Sequence, residues 1–379
     1  LLEHQGVLNM VRGFQATISE PDETLCCLQF ASVVFDAHVA ETYIALCGGH
    51  RLVVASEEQR HDLPALLALI ELHQVEFAIL PPALLKLQPK IPGCLARMVV
   101  AGEATSQVCL DHYTSLGHRL FNGYGPSEAS VCSSINLYRY NGAKNIGRPL
   151  PGVRLYVLDQ QQQPLPLGVA GELYIAGLGL ARGYLNQPQL TQEKFIANPF
   201  AAADAAEYQR LYRSGDIVRW LPGGELEYVG RNDFQVKIRG HRIELSEIEQ
   251  AFVAVTSVAH CAVVIRGRET PRIVAYYVAE ITLNDEQVKR RLAELLPDYM
   301  VPTALVQLLA LPLTINGKLD TRALPEPDYN QASQGYRPAS TYQEKQLQAV
   351  WQQVMGREDI GIGDDFLRLG GDSITAIRL

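Results

Sequence analysis

Short apolar runs alternate with helical periods through the first third of the chain. LVVA (52–55) precedes LPALLALIELHQ, FAIL (77–80) precedes PPALLKL, and MVVAG (98–102) precedes TSQVCLDHYTSLG. A strand that is apolar at every position buries both faces, so residues 1–132 are predicted to form a parallel sheet with helices on either side. The rhythm changes over 133–232. There VRLYVLD (153–159), GELYIAG (171–177), LYRSGDIVRWL (211–221) and GGELEYVG (223–230) are separated by Pro/Gly turns, which predicts a small antiparallel β-barrel or sheet. Residues 233–324 form a compact α+β pattern. Ser246 to Glu249 have the capping-box spacing and start a helix through Phe252 and Val255. Strands follow at 258–266 and 272–280, then a helix from Asn284 to Leu296 stopped by Pro297, then a strand near 303–309. Residues 325–340, PEPDYNQASQGYRPAS, make the one clear linker. Thr341 and Glu344 then cap a helix with Leu347, Val350, Trp351 and Val354 on one side, opening a third region over 341–379. The expected fold class is α/β plus α+β, followed by the start of an all-α domain.

Composition adds bounds. The 379 residues are 47% hydrophobic and 20% charged, ordinary for globular domains. A formal charge of −8 offers no net attraction to nucleic acid or an anionic membrane, and no apolar run approaches the length that spans a bilayer. Seven cysteines are scattered without a CxxC pair, which points to free thiols in a reducing, cytoplasmic setting. The nine histidines form no ligand cluster, so a structural zinc site is not expected. With no signal peptide ahead of Leu1 and Leu379 inside an apparent helix, both ends look cut from something larger.

Ligands of a parallel sheet gather beyond the carboxyl ends of its strands, and three loops fall there. Phe35-Asp36-Ala37-His38 opens a helix with apolar Val39, Tyr43 and Leu46, with Asp36 suited to be its N-cap. Ala101-Gly102-Glu103-Ala104 follows a strand. Asn122-Gly123-Tyr124-Gly125-Pro126-Ser127-Glu128 crowds an aromatic, an amide and a carboxylate into one tight turn. Further on, Asp216 sits in a strand otherwise suited to burial, with turn capping as its simplest role. Gly177 to Gly183 has the wrong spacing for a dinucleotide loop. Gly230 to Glu249 is a dense charge cluster at the boundary between two patterns, and Asn316-Gly317-Lys318 is a turn presenting one lysine.

The ordered set FDAHVAE, NGYGPSE, GELYIAGLGLARGYLNQP, YRSGDIVRW, GRNDFQVKIRGHRIELSEIE, NGKLD and LGGDS resembles the adenylation domain of a nonribosomal peptide synthetase followed by its peptidyl carrier, a four-helix domain present here in part. The resemblance spans the whole chain and implies activation of an amino acid by ATP as an aminoacyl-AMP, then thioester transfer to a phosphopantetheine arm. Motif by motif it implies that Asp36 holds the substrate α-ammonium and that Tyr124 stacks on adenine, with Gly102, Glu103, Ala104 and Asn122 around the base. Glu128 would bind Mg²⁺, Asp216 the ribose hydroxyls, and Arg231 would lie near the nucleotide. Lys318 would bridge carboxylate and phosphate as the catalytic lysine, and Ser373 would carry the phosphopantetheine.

The same resemblance maps the substrate pocket to Asp36, Ala37, Ala40, Ile79, Val99, Ala101, Gly123, Val131, Cys132 and Lys318. Apart from the two ends this lining is apolar or small, so a large hydrophobic or aromatic amino acid is expected, since a charged side chain would be buried without a partner. Asp233 would be the hinge about which residues 233–324 rotate between the two half-reactions. Leu324 to Pro327 resembles an anchor that docks the linker on the small domain. Implied partners are a phosphopantetheinyl transferase, neighbouring condensation or epimerisation domains (Asp372 before Ser373 resembling carriers that feed the latter), and an accessory protein on the large domain in some members. The competing readings are an acyl or aryl acid–CoA ligase of the same superfamily and a catalytically incomplete carrier-docking fragment. The first has no use for Asp36 or a fused carrier.

Overall fold

The computed structural model describes the chain except residues 21, 87–88, 104, 233–235, 239–240, 257, 259, 268–270, 280–281, 313–318, 328–336, 356–359 and 365–379. It divides into two compact units, Leu1–Asp233 and Phe234–Leu379.

The first unit opens with α1 (His4–Ile18), β1 (Cys26–Gln29), α2 (Asp36–Cys47) and β2 (Arg51–Val54). It continues with α3 (Glu57–His61), α4 (Leu63–His73), β3 (Phe77–Leu80), α5 (Pro82–Lys86), β4 (Arg97–Val100), α6 (Gln107–Ser115) and β5 (Arg119–Tyr124). Strands β1 to β5 are parallel in the order β2-β1-β3-β4-β5. All four residues of β3 are buried, and alternate side chains serve opposite faces. Ala78, Leu80, Met98, Val100 and Leu120 pack on one side against Leu66, Ile70, Leu85 and Tyr113 of α4, α5 and α6. Phe77, Ile79, Val99 and Phe121 pack on the other against Met10, Phe14, Ala40 and Ile44 of α1 and α2. Each large side chain so buried contributes about 1.5–3 kcal/mol, which is what holds two layers of helix on one sheet.

The change of rhythm near residue 133 does not end that sheet. β6 (Ser134–Leu137) pairs antiparallel with β5, and β7 (Asn145–Pro149) with β6. The path then runs on through β8 (Val153–Leu158), β9 (Gly171–Gly177), β11 (Arg210–Trp220) and β12 (Leu226–Arg231), in the order β7-β12-β11-β9-β8. The helix α7 (Pro188–Lys194) leads into β10 (Phe195–Ala197), which pairs with β11. The expected antiparallel part is thus joined edge to edge with the parallel part in a twelve-stranded sheet.

In the second unit β13 (Val236–Ile238) and β14 (His241–Ile243) form a hairpin ahead of α8 (Leu245–Thr256). β15 (His260–Arg266), β16 (Arg272–Val278) and β17 (Ala304–Leu308) form a three-stranded sheet, with α9 (Asp285–Ala293) between the last two. Ile248, Phe252, Val263, Tyr277 and Leu292 make its core. Ser246 and Glu249 do not form the expected capping box: α8 already begins at Leu245, and Glu249 Oε1 accepts from the Val263 backbone N–H at 2.8 Å. α9 is shorter than expected, running from Asp285 to Ala293 with Asn284 capping the Gln287 N–H at 2.9 Å. Leu324 is buried against Val264, Val274 and Tyr276, while Arg266 and Tyr276 donate to the Leu324 and Pro325 carbonyls at 2.8 and 2.7 Å. Thr341 and Glu344 do cap α10 (Tyr342–Met355) reciprocally, at 2.9 and 3.2 Å.

Candidate functional site

The loops after β1, β4 and β5 leave the carboxyl ends of parallel strands, and the structure brings two of them into contact. Asp36 is the first residue of α2 rather than its N-cap; that position is Phe35, which makes no side-chain cap. Freed from capping, the Asp36 carboxylate accepts a hydrogen bond from the Ser127 hydroxyl of the β5 loop. A carboxylate in a first helical turn is favoured by the helix dipole. The expected apolar face of α2 is also corrected. Tyr43 and Leu46 are 45% and 59% exposed, and the packed face consists of Ala40, Glu41, Ile44 and Ala45.

Most of the anticipated pocket positions share one neighbourhood. Ala40, Ile79, Val99 and Cys132 belong to the apolar cluster between sheet and α2, and Ala101 and Val131 pack against it. Parallel pairing sets Ile79 beside Val99 and Val100 beside Asn122, which carries Ala101 to the level of Gly123. A β-carbon at Gly123 would stand 3.1 Å from Val99 Cγ1, 3.7 Å from Ala101 Cβ and 3.7 Å from Cys132 Sγ, so its absence opens a space all three residues line. Burial pushes the Cys132 thiol up to about 12, so it lines this space uncharged. Ala37 lies in the first turn of α2, one residue after Asp36. Ser130 and Val131 both have left-handed backbone, φ 57° and 70°, an uncommon state for a β-branched residue.

A second group forms where the β5 loop meets β11 and β12. Ser214 and Gly215, the latter at φ +76°, lie within a register irregularity between β11 and β9, a bulge that re-aims the side chain after it. That side chain is Asp216, 6% exposed. It accepts from Arg231 Nη1 at 2.6 Å, from Tyr228 at 3.4 Å and from the Tyr124 hydroxyl. Arg231 stands directly opposite on β12 and also donates to the Ser214 carbonyl at 3.1 Å. Burial, then the Asp216 charge, hold the Tyr124 phenol far above its usual pKa, so it remains a donor.

The other residues are placed as follows. Glu128 Oε1 accepts from the Tyr184 hydroxyl at 2.7 Å. Gly102 has φ +88° and is followed by half-buried Glu103. Asn122 is buried and donates to the Asn145 and Ala143 carbonyls at 2.8 and 3.3 Å, tying β5 to the segment entering β7. Ala104, Asp233, Lys318 and Ser373 lie outside the described residues.

Sequence reasoning gave no role to Ser127, Tyr184 or Tyr228. Ser127 and Tyr184 stand inside two of the ordered motifs, but nothing in their spacing shows what they touch. Nor did it find a use for Gly177 to Gly183. In the structure that segment braces the β5 loop: Ala181 N–H donates to the Glu128 carbonyl at 2.8 Å, and the Ser130 hydroxyl to the Gly179 carbonyl at 2.7 Å. A β-carbon on Gly179 would come within 2.8 Å of the Ala129 carbonyl, so the approach requires glycine.

Among the described residues there is no group of three or more His, Cys, Asp or Glu that could hold a metal, and no helix long and apolar enough to cross a membrane. A lone carboxylate such as Glu128 fits Mg²⁺, which takes one or two protein oxygens and completes its shell with phosphate and water.

Comparison with known proteins matches residues 1–185 to the AMP-binding enzyme model, 247–318 to the AMP-binding enzyme C-terminal domain and 345–379 to the phosphopantetheine attachment site. Bacitracin synthase 3 of Bacillus licheniformis is 40% identical over 384 residues, covering 100% of this chain and 6% of that protein. Tyrocidine synthase 1 of Brevibacillus parabrevis is 39% identical over 392 residues, covering 100% of this chain and 35% of its own. The chain therefore spans a minor part of these relatives. A solved structure of a nonribosomal peptide synthetase protein containing adenylation and PCP domains, bound to a vinylsulfonamide inhibitor, superposes with a TM-score of 0.74 at 26% identity, over 94% of this chain and 60% of that one.

Proposed function

The chain belongs to the AMP-binding enzyme family, as an adenylation domain followed by a carrier segment, and from that membership we propose that it activates an amino acid with ATP and passes it on as a carrier-bound thioester. The observation that carries the reading is the Asp216 cluster, where a buried carboxylate is surrounded by hydroxyl and guanidinium donors beside an aromatic ring. Such a carboxylate suits the two hydroxyls of a ribose, and the Tyr124 ring next to it suits the base.

In this reading Asp36 holds the α-ammonium, and one carboxylate oxygen of the amino acid attacks the α-phosphorus of ATP. The bond to the bridging oxygen breaks and pyrophosphate leaves. Binding and orientation supply most of the rate, because two reactants fixed in one site react as a unimolecular pair. Glu128, steadied by Tyr184, would hold Mg²⁺, which supplies neutralisation of phosphate charge when bound. Lys318 would add a positive charge between carboxylate and phosphate as charge builds. A phosphopantetheine thiol on Ser373 would then displace AMP from the acyl group, its proton passing to solvent. Since Lys318 and the phosphopantetheine thiol would have to reach the same acyl-adenylate in turn, residues past Asp233 would reorient between the steps; the division of the chain into two units at Asp233 supports a pivot there.

The substrate side chain is proposed to be large and hydrophobic or aromatic. Support comes from the absent side chain at Gly123 and from the uncharged lining of Ala40, Ile79, Val99, Ala101 and Cys132. Phosphopantetheinyl transferase and neighbouring condensation or epimerisation domains are the proposed partners, with a small accessory protein on the large domain as a further one. ATP–pyrophosphate exchange by the full-length protein against a panel of amino acids tests this. Exchange with Phe, Tyr or Trp is expected; preference for Asp, Lys or Gly overturns the substrate reading, and exchange only with acids lacking an α-amino group overturns the amino-acid reading.

A further inference from the structure

Glu41 is 1% exposed on the packed face of α2 and plays no part in the chemistry above. Its Oε2 accepts from the backbone N–H groups of Phe30 and Ala31 at 3.1 and 2.9 Å and from Gln29 Nε2 at 3.3 Å, and its Oε1 from Ala31 N–H at 3.3 Å. Gln29 is 2% exposed. Its Oε1 accepts from Arg60 Nη2 at 3.0 Å, and its Nε2 lies 3.1 Å from His38 Nδ1 and donates to the Ala31 carbonyl at 2.5 Å. Two buried polar side chains thus join the last residue of β1, the two residues after it, the first and second turns of α2, and α3.

A carboxyl on the packed face of a helix is costly to desolvate, and Leu or Ile would fill the space without that cost. What an aliphatic side chain cannot do is accept the two N–H groups that open the β1–α2 loop, which otherwise stay unpaired at a protein interior. The carboxyl therefore serves the position of the loop rather than packing. That loop ends at Asp36.

We infer that Glu41 is a positioning residue for substrate recognition: by holding the Phe30 and Ala31 amides it fixes the first turn of α2 against the end of β1, and so where the Asp36 carboxylate stands to meet an α-ammonium. This rests on the reading of Asp36 as the ammonium anchor. Ser127 tethers the Asp36 carboxylate from the other side, but it cannot set the height of the helix.

The test is amino-acid-dependent pyrophosphate exchange by the full-length protein, with its preferred amino acid and with the des-amino analogue. Glu41→Gln keeps the volume and one acceptor; Glu41→Leu keeps only the volume. Glu41→Gln is expected to raise the amino-acid KM about tenfold while the ATP KM stays within roughly twofold, and to narrow the preference for the amino acid over its analogue. Glu41→Leu should move the same quantities further, with Gln as the partial rescue. Asp36→Asn is measured alongside. If it changes neither the amino-acid KM nor the analogue preference, the Asp36 reading fails and the inference falls with it. If Asp36→Asn changes both, but a folded Glu41→Gln changes neither or raises both KM values alike, the Asp36 reading stands and the inference about Glu41 is overturned. Should Glu41→Gln and Glu41→Leu not fold by circular dichroism, Glu41→Asp, which keeps the carboxyl but draws it back by one methylene from the Phe30 and Ala31 amides, is expected to give the same split at about threefold; a folded Glu41→Asp protein with no split overturns the inference.

Discussion

The Tyr124 hydroxyl donates to the carboxylate of Asp216, a residue 92 positions further along the chain. The bond crosses from the end of the last parallel strand to the antiparallel half of the sheet. A residue proposed to stack on a base and one proposed to hold a ribose are thus linked directly to each other. Arg231 and Tyr228 complete the set from β12.

Removing Arg231 should expose how much this arrangement depends on charge balance. The Arg231 side chain is 12% exposed and that of Asp216 8%. Loss of one member of a buried pair leaves the other charge uncompensated, at about 3–5 kcal/mol. Arg231→Leu is expected to lower the stability of the first unit by about 3 kcal/mol in denaturant unfolding and to raise the ATP KM. Tyr124→Phe removes one neutral donor and should cost about 1 kcal/mol.

Gly123 and Gly125 make contrasting predictions. A β-carbon at Gly123 meets side chains at 3.1 Å and beyond, whereas one at Gly125 meets the Val131 carbonyl at 2.5 Å and the Cys132 Cα at 2.6 Å. Side chains can yield and backbone cannot. Gly123→Ala should fold, and in exchange assays should lose the largest amino acids by about tenfold while keeping smaller ones. Gly125→Ala should be destabilised by more than about 2 kcal/mol in thermal melts.

How much of this was legible varies residue by residue. Phe77 to Leu80 could be bounded to the residue because a strand buried on both faces is apolar throughout; Gly171 to Gly177 is bounded by its two glycines, and the charge inside it, Glu172, is buried against Arg213. α2 could be placed but not oriented. Its packed face uses Ile44, two alanines and one carboxyl, while Tyr43 and Leu46 face outward, and periodicity ranks residues by hydrophobicity alone. Glu249 and Glu344 sit at the same offset from a hydroxyl residue. Only Glu344 caps, because Glu249 has the Val263 amide within reach. Contacts such as Tyr124 with Asp216 or Tyr184 with Glu128 depend on which strands become neighbours, and local pattern does not record that.

Lys318 and Asp233 should separate the two half-reactions. Lys318→Ala is expected to slow adenylation by about a hundredfold to a thousandfold, the range for a preorganised electrostatic group worth about 3–4 kcal/mol. Pyrophosphate exchange reads this directly, and an unchanged rate would remove Lys318 from the mechanism. Asp233→Pro, which restricts φ, should depress thioester formation on the carrier more than exchange; equal losses would argue against a pivot at that residue.

Glu41 gives a pH prediction. Burial pushes its carboxyl up to about 8, against the pull of the Ala31 and Phe30 amides, Gln29 and the Arg60 charge. A group whose folded value lies above its unfolded value of 4.5 keeps its proton in the native state while the unfolded chain releases it. Its contribution is therefore complete below pH 4.5, declines at up to about 1.4 kcal/mol per pH unit from there to about 8, and is gone above. Denaturant unfolding from pH 5 to 9 should show that decline in the wild-type protein and a shallower one in Glu41→Gln.

The brace between Gly179 to Ala181 and the loop holding Glu128 and Ser130 bears on how these proteins can be recombined. A crossover placed between residues 133 and 170 would take the strands proposed to line the substrate from one parent and their support from another. The Ala181 amide, the Gly179 carbonyl and the Tyr184 hydroxyl would then face a loop they had not been selected with. Chimeras that carry the segment through Tyr184 together with the proposed lining from Asp36 to Cys132 keep that inheritance whole.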